Sequence, residues 1–549
     1  MSNLSRRKLL QLLSMTLPAL RFMPLSSFAG TGPYAGLHSG TMSHAGSIPS
    51  GPGANGLSPG RSIQQGPFEG TRASLQAYEI PEWFRDAKFG IWAHWGPQSA
   101  IEAGDWYARN MYIQGSGQYK HHLEHYGHPS KTGYKDTIPH WKAEQFDPEH
   151  LMGLYKKAGA RYFMSMGAHH DNFDLWNSPY NRWNSVQMGP GKDIVGLWRK
   201  AAQKHGLYFG ISDHLWISPK WFSVSKGSDG EGPYAQVPYD GADPALADLY
   251  GDNKVIFNKD LPWNEDTISE AWKQHWFDRI KDLVDQYEPD LLYCDGPIPF
   301  EAYGLNILAH MYNKSAAKHG GKARSVYTSK RAEDSQVGTC AFDVERGVVD
   351  SIWPRPWQTD TCIGDWHYNR DTIGHYKTPK TVVDLLVDIV SRNGNLMLNI
   401  PLPASGMPDA DELRVLEGIT AWMSVNSEGI YDTRPWKIFG ESPAVPAATG
   451  GSSFNESNRK DLGADDVRFT SKRGTLYAFF MGWPSGGHIN IRPLGRSSAQ
   501  KTGAIEHIEL LGHGKVSFSL EDDGLKVSLP QKPPCEYAYT LKIYGQDLV

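Results

Sequence analysis

Cysteine is scarce in this sequence. Four residues (Cys294, Cys340, Cys362 and Cys535) are spread along 549 positions, and no C-x-x-C pair occurs. That spacing indicates neither a zinc knuckle nor a dense disulfide framework. Glycine-rich phosphate loops are missing too. No GxGxxG or GxxxxGK[ST] follows an apolar run, which removes the best signatures of nucleotide binding. Positive charge is not in excess: the formal net charge is -5 and no basic stripe stands out, so no electrostatic argument favours nucleic acid. Beyond the N-terminus no apolar stretch has the length of a membrane helix, and the mature protein is expected to need no membrane.

Aromatics, by contrast, are plentiful: 12% of residues, with 19 Trp and 26 Tyr. Flat apolar sugar faces stack on such rings, although large cores use them as well. The start, MSNLSRRKLLQLLSMTLPAL, has the pattern of a twin-arginine export signal, with Arg6-Arg7 ahead of a short leucine-rich run. Residues 1–30 are therefore expected to direct export to the periplasm or medium. Residues 31–66 are dense in Gly, Ser, Pro and His and read as a disordered linker, having too little apolar surface to offset ordering entropy.

From about residue 80, apolar runs alternate with amphipathic stretches. The runs are FGIWAHWG, YFMSMGAHH, LYFGISDH, DLLYCDG, RSVYTSK and NLMLNIP. DPEHLMGLYKKAGA, KDIVGLWRKAAQKHG, TISEAWKQHWFDRIKDLVDQYE and TPKTVVDLLVDIVSRNG read as helices, the last with Gly394 as its C-cap. Apolar strands covered by helices over some 350 residues predict a TIM-like (β/α)8 barrel, placed at 67–436. After it the pattern becomes β-rich with Gly-containing turns, predicting an all-β sandwich over 437–549.

Catalytic groups of such a barrel sit where its strands end. Those ends carry His94, His169-His170 with Asp171, Asp213-His214, and Asp295. A metal centre is one reading. There is no HExxH, however, and adjacent His169 and His170 point to opposite faces of an ideal strand, so neither metal nor cofactor is expected. The other reading is glycoside hydrolysis, which needs two carboxyls about one bond. Asp295, ending an apolar run and followed by Gly296, suits the role of the ionised one.

Longer stretches resemble the α-L-fucosidases of glycoside hydrolase family 29. WFRDAKFGIWAHWGPQS, GDWYARNMY, MGAHHDNFDLWNS, YEPDLLYCDG, PWQTDTCIGDWHYN, LLVDIVSRNGNLMLNIPLPASG and WMSVNSEGIYDTRPW resemble that family's motifs, in order, from about 80 to 436. The resemblance implies a retaining exo-acting α-L-fucosidase with Asp295 as nucleophile, acting on a fucose-containing oligosaccharide or polysaccharide. It also implies a sugar pocket containing His94, His169, His170 and Trp106, with Asp105 standing where many relatives have glutamate. Trp366 falls in another matched motif and joins the expected pocket. CAFDVERGVVD resembles the region that carries the acid/base, which places Glu345 in that role with Asp343 and Glu333 as competitors. Lys330 or Arg331 takes the place of a basic residue upstream.

The departures are specific. Gln358 stands where relatives often have glutamate, Ala168 where they often have lysine, and His367 where the motif has glycine. Tyr293-Cys294 replace a Trp-containing pair. The segment 213–265 is unlike simpler members, so Asp213, His214 and Trp216 are expected to reshape the pocket. An α-L-galactoside hydrolase and a carbohydrate-binding protein with a lapsed site are the alternatives.

Overall fold

The computed structural model describes residues 62–252, 268–443, 453–456, 461–500 and 503–549. The export-signal region 1–30 lies outside the described residues, as do most of the segment 31–66 and residues 253–267. The end of the 31–66 segment is tied down: Gln64 N donates to His310 Nδ1 at 2.8 Å, and Asn313 Nδ2 donates to Gln64 O at 2.7 Å. No helix among the described residues is long and apolar enough to cross a membrane.

Eight parallel strands close into a barrel in chain order, with the first paired to the last. They are β1 Phe89–Ala93, β2 Tyr162–Ala168, β3 Tyr208–Asp213, β4 Leu291–Cys294, β5 Val326–Ser329, β6 Ala341–Glu345, β7 Trp357–Cys362 and β8 Gly394–Asn399. Six match the apolar runs of the sequence. β6 and β7 do not stand out there because their inner faces are polar, carrying Asp343, Gln358 and Asp360, all fully buried.

Inside the barrel Trp92, Tyr162, Met164, Leu291, Tyr293, Val326, Ala341 and Met397 pack into one cluster. Strand alternation then fixes what lies beyond them, since every second residue shares a face. His94 follows Trp92, Asp295 follows Tyr293, and Glu345 follows Ala341 and Asp343 on the inward parity. The fold thereby delivers polar side chains to one mouth above an apolar floor.

The four helical patterns form helices at Pro148–Lys157, Ile194–His205, Glu270–Tyr287 and Pro379–Ser391. Asp147, Asp193, Ser269 and Thr378 open them by accepting backbone N–H groups of the first turn. Gly394 is not the C-cap of the last helix; it is the first residue of β8. A Cβ there would lie 2.6 Å from the Trp357 ring, so glycine answers a packing demand rather than a capping one.

The C-terminal region forms two antiparallel sheets. One has six strands, in the order β14 Gly514–Val516, β13 Ile505–Leu510, β17 Tyr539–Gly545, β11 Thr475–Phe480, β10 Val467–Lys472 and β9 Arg434–Glu441. The other has three: β12 His488–Ile491, β16 Leu525–Ser528 and β15 Phe518–Leu520. Phe469, Leu476 and Ile543 of the first share a core with Ile491, Leu525 and Val527 of the second, which makes the pair a sandwich. The 436/437 division read from the sequence falls within β9.

This sandwich is keyed to the barrel through a buried charge. Asp388, on the helix Pro379–Ser391, pairs with Arg468 of β10 and, at 3.3 Å, with Arg392; its own side chain is fully buried. Asp388→Ala takes from the buried guanidiniums of Arg468 and Arg392 the carboxylate they share. The expected loss is about 3–5 kcal/mol of stability, read as a lowered midpoint in thermal or denaturant unfolding.

Candidate active site

Asp295 is the residue after β4, and its backbone N–H donates to Asp213 O at 3.1 Å, so the carboxylate leaves a chain segment still held by the sheet. Trp216 braces it from behind: Nε1 donates to Asp295 O at 2.7 Å. Gly296 permits that approach, because a Cβ there would lie 2.8 Å from the Trp216 ring.

Two imidazoles face the Asp295 carboxylate. His170 Nε2 and His214 Nδ1 each lie 3.3 Å from Oδ2. The His170 ring is oriented by its other nitrogen, which donates to His214 O at 2.5 Å. Burial alone would raise the Asp295 carboxyl, but hydrogen bonds from His170 and His214, with the charge of Lys330, outweigh it and hold the group well below the ordinary carboxylate range.

Glu345, the last residue of β6, lies in a different environment. Its one charged neighbour within ion-pair distance among the described residues is Lys330, Nζ to Oε2 3.6 Å. Burial, opposed by Lys330 and reinforced by Asp295 and Asp343, pushes this carboxyl up to about 7. Lys330 Nζ is also 3.8 Å from Asp295 Oδ1. Through that ammonium the two carboxyls are held within roughly 7.4 Å of each other, close enough to flank one glycosidic bond.

The competitors for the acid role are placed elsewhere. Asp343 is fully buried and accepts from Lys330 Nζ at 2.9 Å and Gln358 Nε2 at 2.8 Å. Glu333 is exposed on the short helix Ala332–Gln336, and Arg331 is exposed just before that helix, so Lys330 is the basic residue at the site. One carboxyl was not read from the sequence. Asp360 on β7 meets Lys330 Nζ at 3.2 Å and accepts from Tyr293 OH at 2.9 Å. Burial, with the charge of Asp343, keeps it well above the ordinary range.

The wall beside Asp295 is built of imidazoles. His169 packs against His170 and His214 at 4.7 and 4.8 Å between ring centroids, and His94 against His169 at 5.0 Å. Both of the adjacent histidines reach this wall, which a straight strand forbids. A register shift between Met166 and Ala168 resolves it by swinging the end of β2 off its alternation. Gln98, also unremarked in the sequence, accepts from Ala108 N at 3.3 Å through Oε1, so its amide nitrogen meets His169 Nδ1, at 2.8 Å. That leaves His169 Nε2 as the protonated nitrogen, a donor suited to a hydroxyl.

His94 and His169 are held well below the ordinary imidazole range by burial, and His214 is lowered to about 4 for the same reason. These three rings are therefore uncharged. His94, Asp105, His169 and His367 bring ligand-type atoms within 4.8 Å of one another, as do His169, His170 and His214. The commitments of His169 to Gln98, and of His170 and His214 to Asp295, favour hydroxyl binding over metal ligation. Trp366 stacks obliquely near His94 at 5.5 Å, and Trp106 meets His170 edge-on at 6.2 Å.

Asp213 does not join the site. It lies one residue out of phase with His214, and its carboxylate accepts from Trp276 Nε1 at 2.8 Å and Leu215 N at 2.9 Å, towards the helix Glu270–Tyr287. Its part is structural, tying β3 to the helix layer. Asp171 likewise has another partner, accepting from Tyr134 OH at 2.5 Å.

Known proteins resemble this chain in sequence and in fold. Residues 57–428 match the family profile described as alpha-L-fucosidase, and residues 459–544 match the alpha-L-fucosidase C-terminal domain. Human tissue alpha-L-fucosidase is 27% identical over 86% of this chain and 91% of its own length. Human plasma alpha-L-fucosidase is 27% identical over 87% of this chain and 92% of its own. The Thermotoga maritima alpha-fucosidase solved in complex with fucose superposes with a TM-score of 0.65, at 25% identity over 87% of this chain and all of the other. A structure of the same enzyme with a mechanism-based inhibitor gives 0.67 at 24% identity over the same shares and supports the fold. The chain belongs to the α-L-fucosidase family of glycoside hydrolases.

Proposed function

We propose that the protein is a retaining, exo-acting α-L-fucosidase that removes terminal α-L-fucosyl residues from an oligosaccharide or polysaccharide. The observation that carries the mechanism is the contrast between two carboxyls beside one ammonium. Asp295 is stabilised as an anion by His170 and His214, while Glu345 has no such imidazole donor among the described residues and is pushed up to about 7. One is prepared to attack, the other to give a proton.

In the first step an Asp295 oxygen forms a bond to the anomeric carbon as the bond from that carbon to the leaving oxygen breaks. The leaving oxygen takes the proton of Glu345, so negative charge passes from Asp295 to Glu345. In the second step Glu345, now a carboxylate, takes a proton from water. The water oxygen displaces Asp295, restoring both groups. Two displacements at one carbon preserve its configuration. The uncharged imidazole of His94 offers a donor and an acceptor to sugar hydroxyls, that of His169 offers its Nε2–H as a donor, and Trp106 and Trp366 offer apolar faces.

The test is hydrolysis of an aryl α-L-fucoside beside the aryl α-L-galactoside, with the first-formed sugar followed by proton NMR. Cleavage of the fucoside with α-L-fucose appearing before mutarotation is expected. Initial release of the β-anomer would overturn the retaining mechanism. A strong preference for the galactoside would reassign the substrate, since the two sugars differ only by a hydroxyl on C6.

A further inference from the structure

Two departures from the family motifs, far apart in sequence, touch in the fold. Asp105 is one methylene shorter than the glutamate usual there, and His367 replaces a glycine. His367 Nδ1 lies 2.6 Å from Asp105 Oδ1 and donates to it. The pair is fixed by its loops: Gly104 N donates to Tyr368 O at 3.1 Å, and Asp105 N to Asp365 Oδ2 at 3.3 Å.

We infer that His367, held by Asp105, is a specificity-determining contact that reads one hydroxyl of the bound sugar. The inference rests on the glycosidase reading above. With Nδ1 committed to the carboxylate, the opposite nitrogen, Nε2, is buried and has no hydrogen-bond partner among the described residues, on a side chain only 1% exposed. Buried polar atoms in native structures are normally paired, and an exception asks for a ligand.

The surroundings say which kind. The His367 ring meets those of His94 and His169 edge-to-face, at 4.5 and 4.9 Å, and both nitrogens of His94 are unpartnered as well. His94 Nε2 is 4.0 Å from the same Asp105 oxygen. These groups continue the wall that reaches Asp295 through His214. A carboxylate beside the uncharged His94 and His169 rings repels an anionic group and accepts or relays hydrogen bonds from neutral hydroxyls. The ligand is therefore the polyol face of a neutral sugar. The imidazole extends the reach that the shorter Asp105 gives up, so Asp105 acts on the sugar partly through His367.

The test uses aryl α-L-fucosides lacking one hydroxyl each (2-, 3- and 4-deoxy) together with the aryl α-L-galactoside. These are assayed on the wild-type protein and on His367→Gly, His367→Gln and Asp105→Asn. His367→Gly is expected to lower kcat/KM on the parent fucoside by about 10- to 100-fold. On the one substrate lacking the matched hydroxyl it is expected to cost almost nothing more. Asp105→Asn should show its smallest loss on that same substrate, and His367→Gln should recover part of the activity. A matched O6 would instead appear as a galactoside-to-fucoside ratio that collapses in His367→Gly. If every substrate lost the same factor, His367 would be a packing residue and the inference would fail. His367→Gln, closer in volume, supplies the same comparison should the glycine variant not fold. Failure of the wild-type protein to cleave any of the glycosides would count against the glycosidase reading instead.

Discussion

Asp295→Ala is expected to lower turnover of an aryl α-L-fucoside by about three to five orders of magnitude, with the fold intact. The Asp295 carboxylate, just past β4, is the group that both imidazoles address, and its neighbours are committed elsewhere. Asp343 is locked by Lys330 and Gln358, and Asp360 by Lys330 and Tyr293. Removing the side chain also opens room beside the anomeric carbon. Azide should then attack directly and restore part of the rate on a substrate with a good leaving group. Having displaced the leaving group once, it gives the β-glycosyl azide, which NMR distinguishes from the α-product. A variant with wild-type turnover, or rescue yielding the α-azide, would assign the nucleophile elsewhere. The acid limb of the wild-type pH profile carries the same information. Asp295 is held well below the ordinary range, so activity should persist into mildly acidic solution before protonation removes the nucleophile.

Asp295 was legible in the sequence because an apolar run ending on an acid and a glycine is unusual, and the barrel places such an end at the mouth. The histidines were legible as a set but not one by one. Asp213 and His214 look equivalent in LYFGISDH, yet alternation sends the first to Trp276 and the second to Asp295. Counting by two from Tyr208 separates them. His169 and His170 defeat that count because of the bulge before them, which no residue type announces. β6 and β7 were hidden for a further reason: their inward positions hold Asp343, Glu345, Gln358 and Asp360, so they lack the apolar run that marks the other strands. Those polar residues are the acid side of the site. Hydropathy therefore fails where the chemistry is densest, and Glu345 came from resemblance to the family together with the need for a second carboxyl. The pairing of Asp105 with His367 lay beyond any local signal, since 262 positions separate the partners.

Glu345→Gln is expected to divide substrates by leaving group. On a natural fucosyl linkage, where an alkoxide cannot depart unaided, kcat/KM should fall by about 100- to 10,000-fold. On an aryl fucoside with a strongly acidic phenol the first step hardly needs the proton and should lose far less. Its second step then becomes slow, because water also depends on Glu345 as base, so a burst of phenol should precede a slower steady state. Azide needs no base; it should accelerate that steady state and give the α-glycosyl azide, opposite to the product expected from Asp295→Ala. The wild-type pH profile supplies the sign. Glu345 must be protonated to act first, and its carboxyl is pushed up to about 7. The kcat/KM for a poor leaving group should therefore hold below pH 7 and fall as pH rises through it, and in Glu345→Gln that basic limb should disappear. Equal losses on good and poor leaving groups, with the limb retained, would move the acid role to Asp360. That residue is the other carboxyl at Lys330 held above the ordinary range, but it is buried behind Tyr293 rather than set at the end of its strand. The contrast between these two neighbours on adjoining strands, Glu345 paired in register with Asp360, is why exposure to substrate, and not the raised carboxyl alone, selects Glu345.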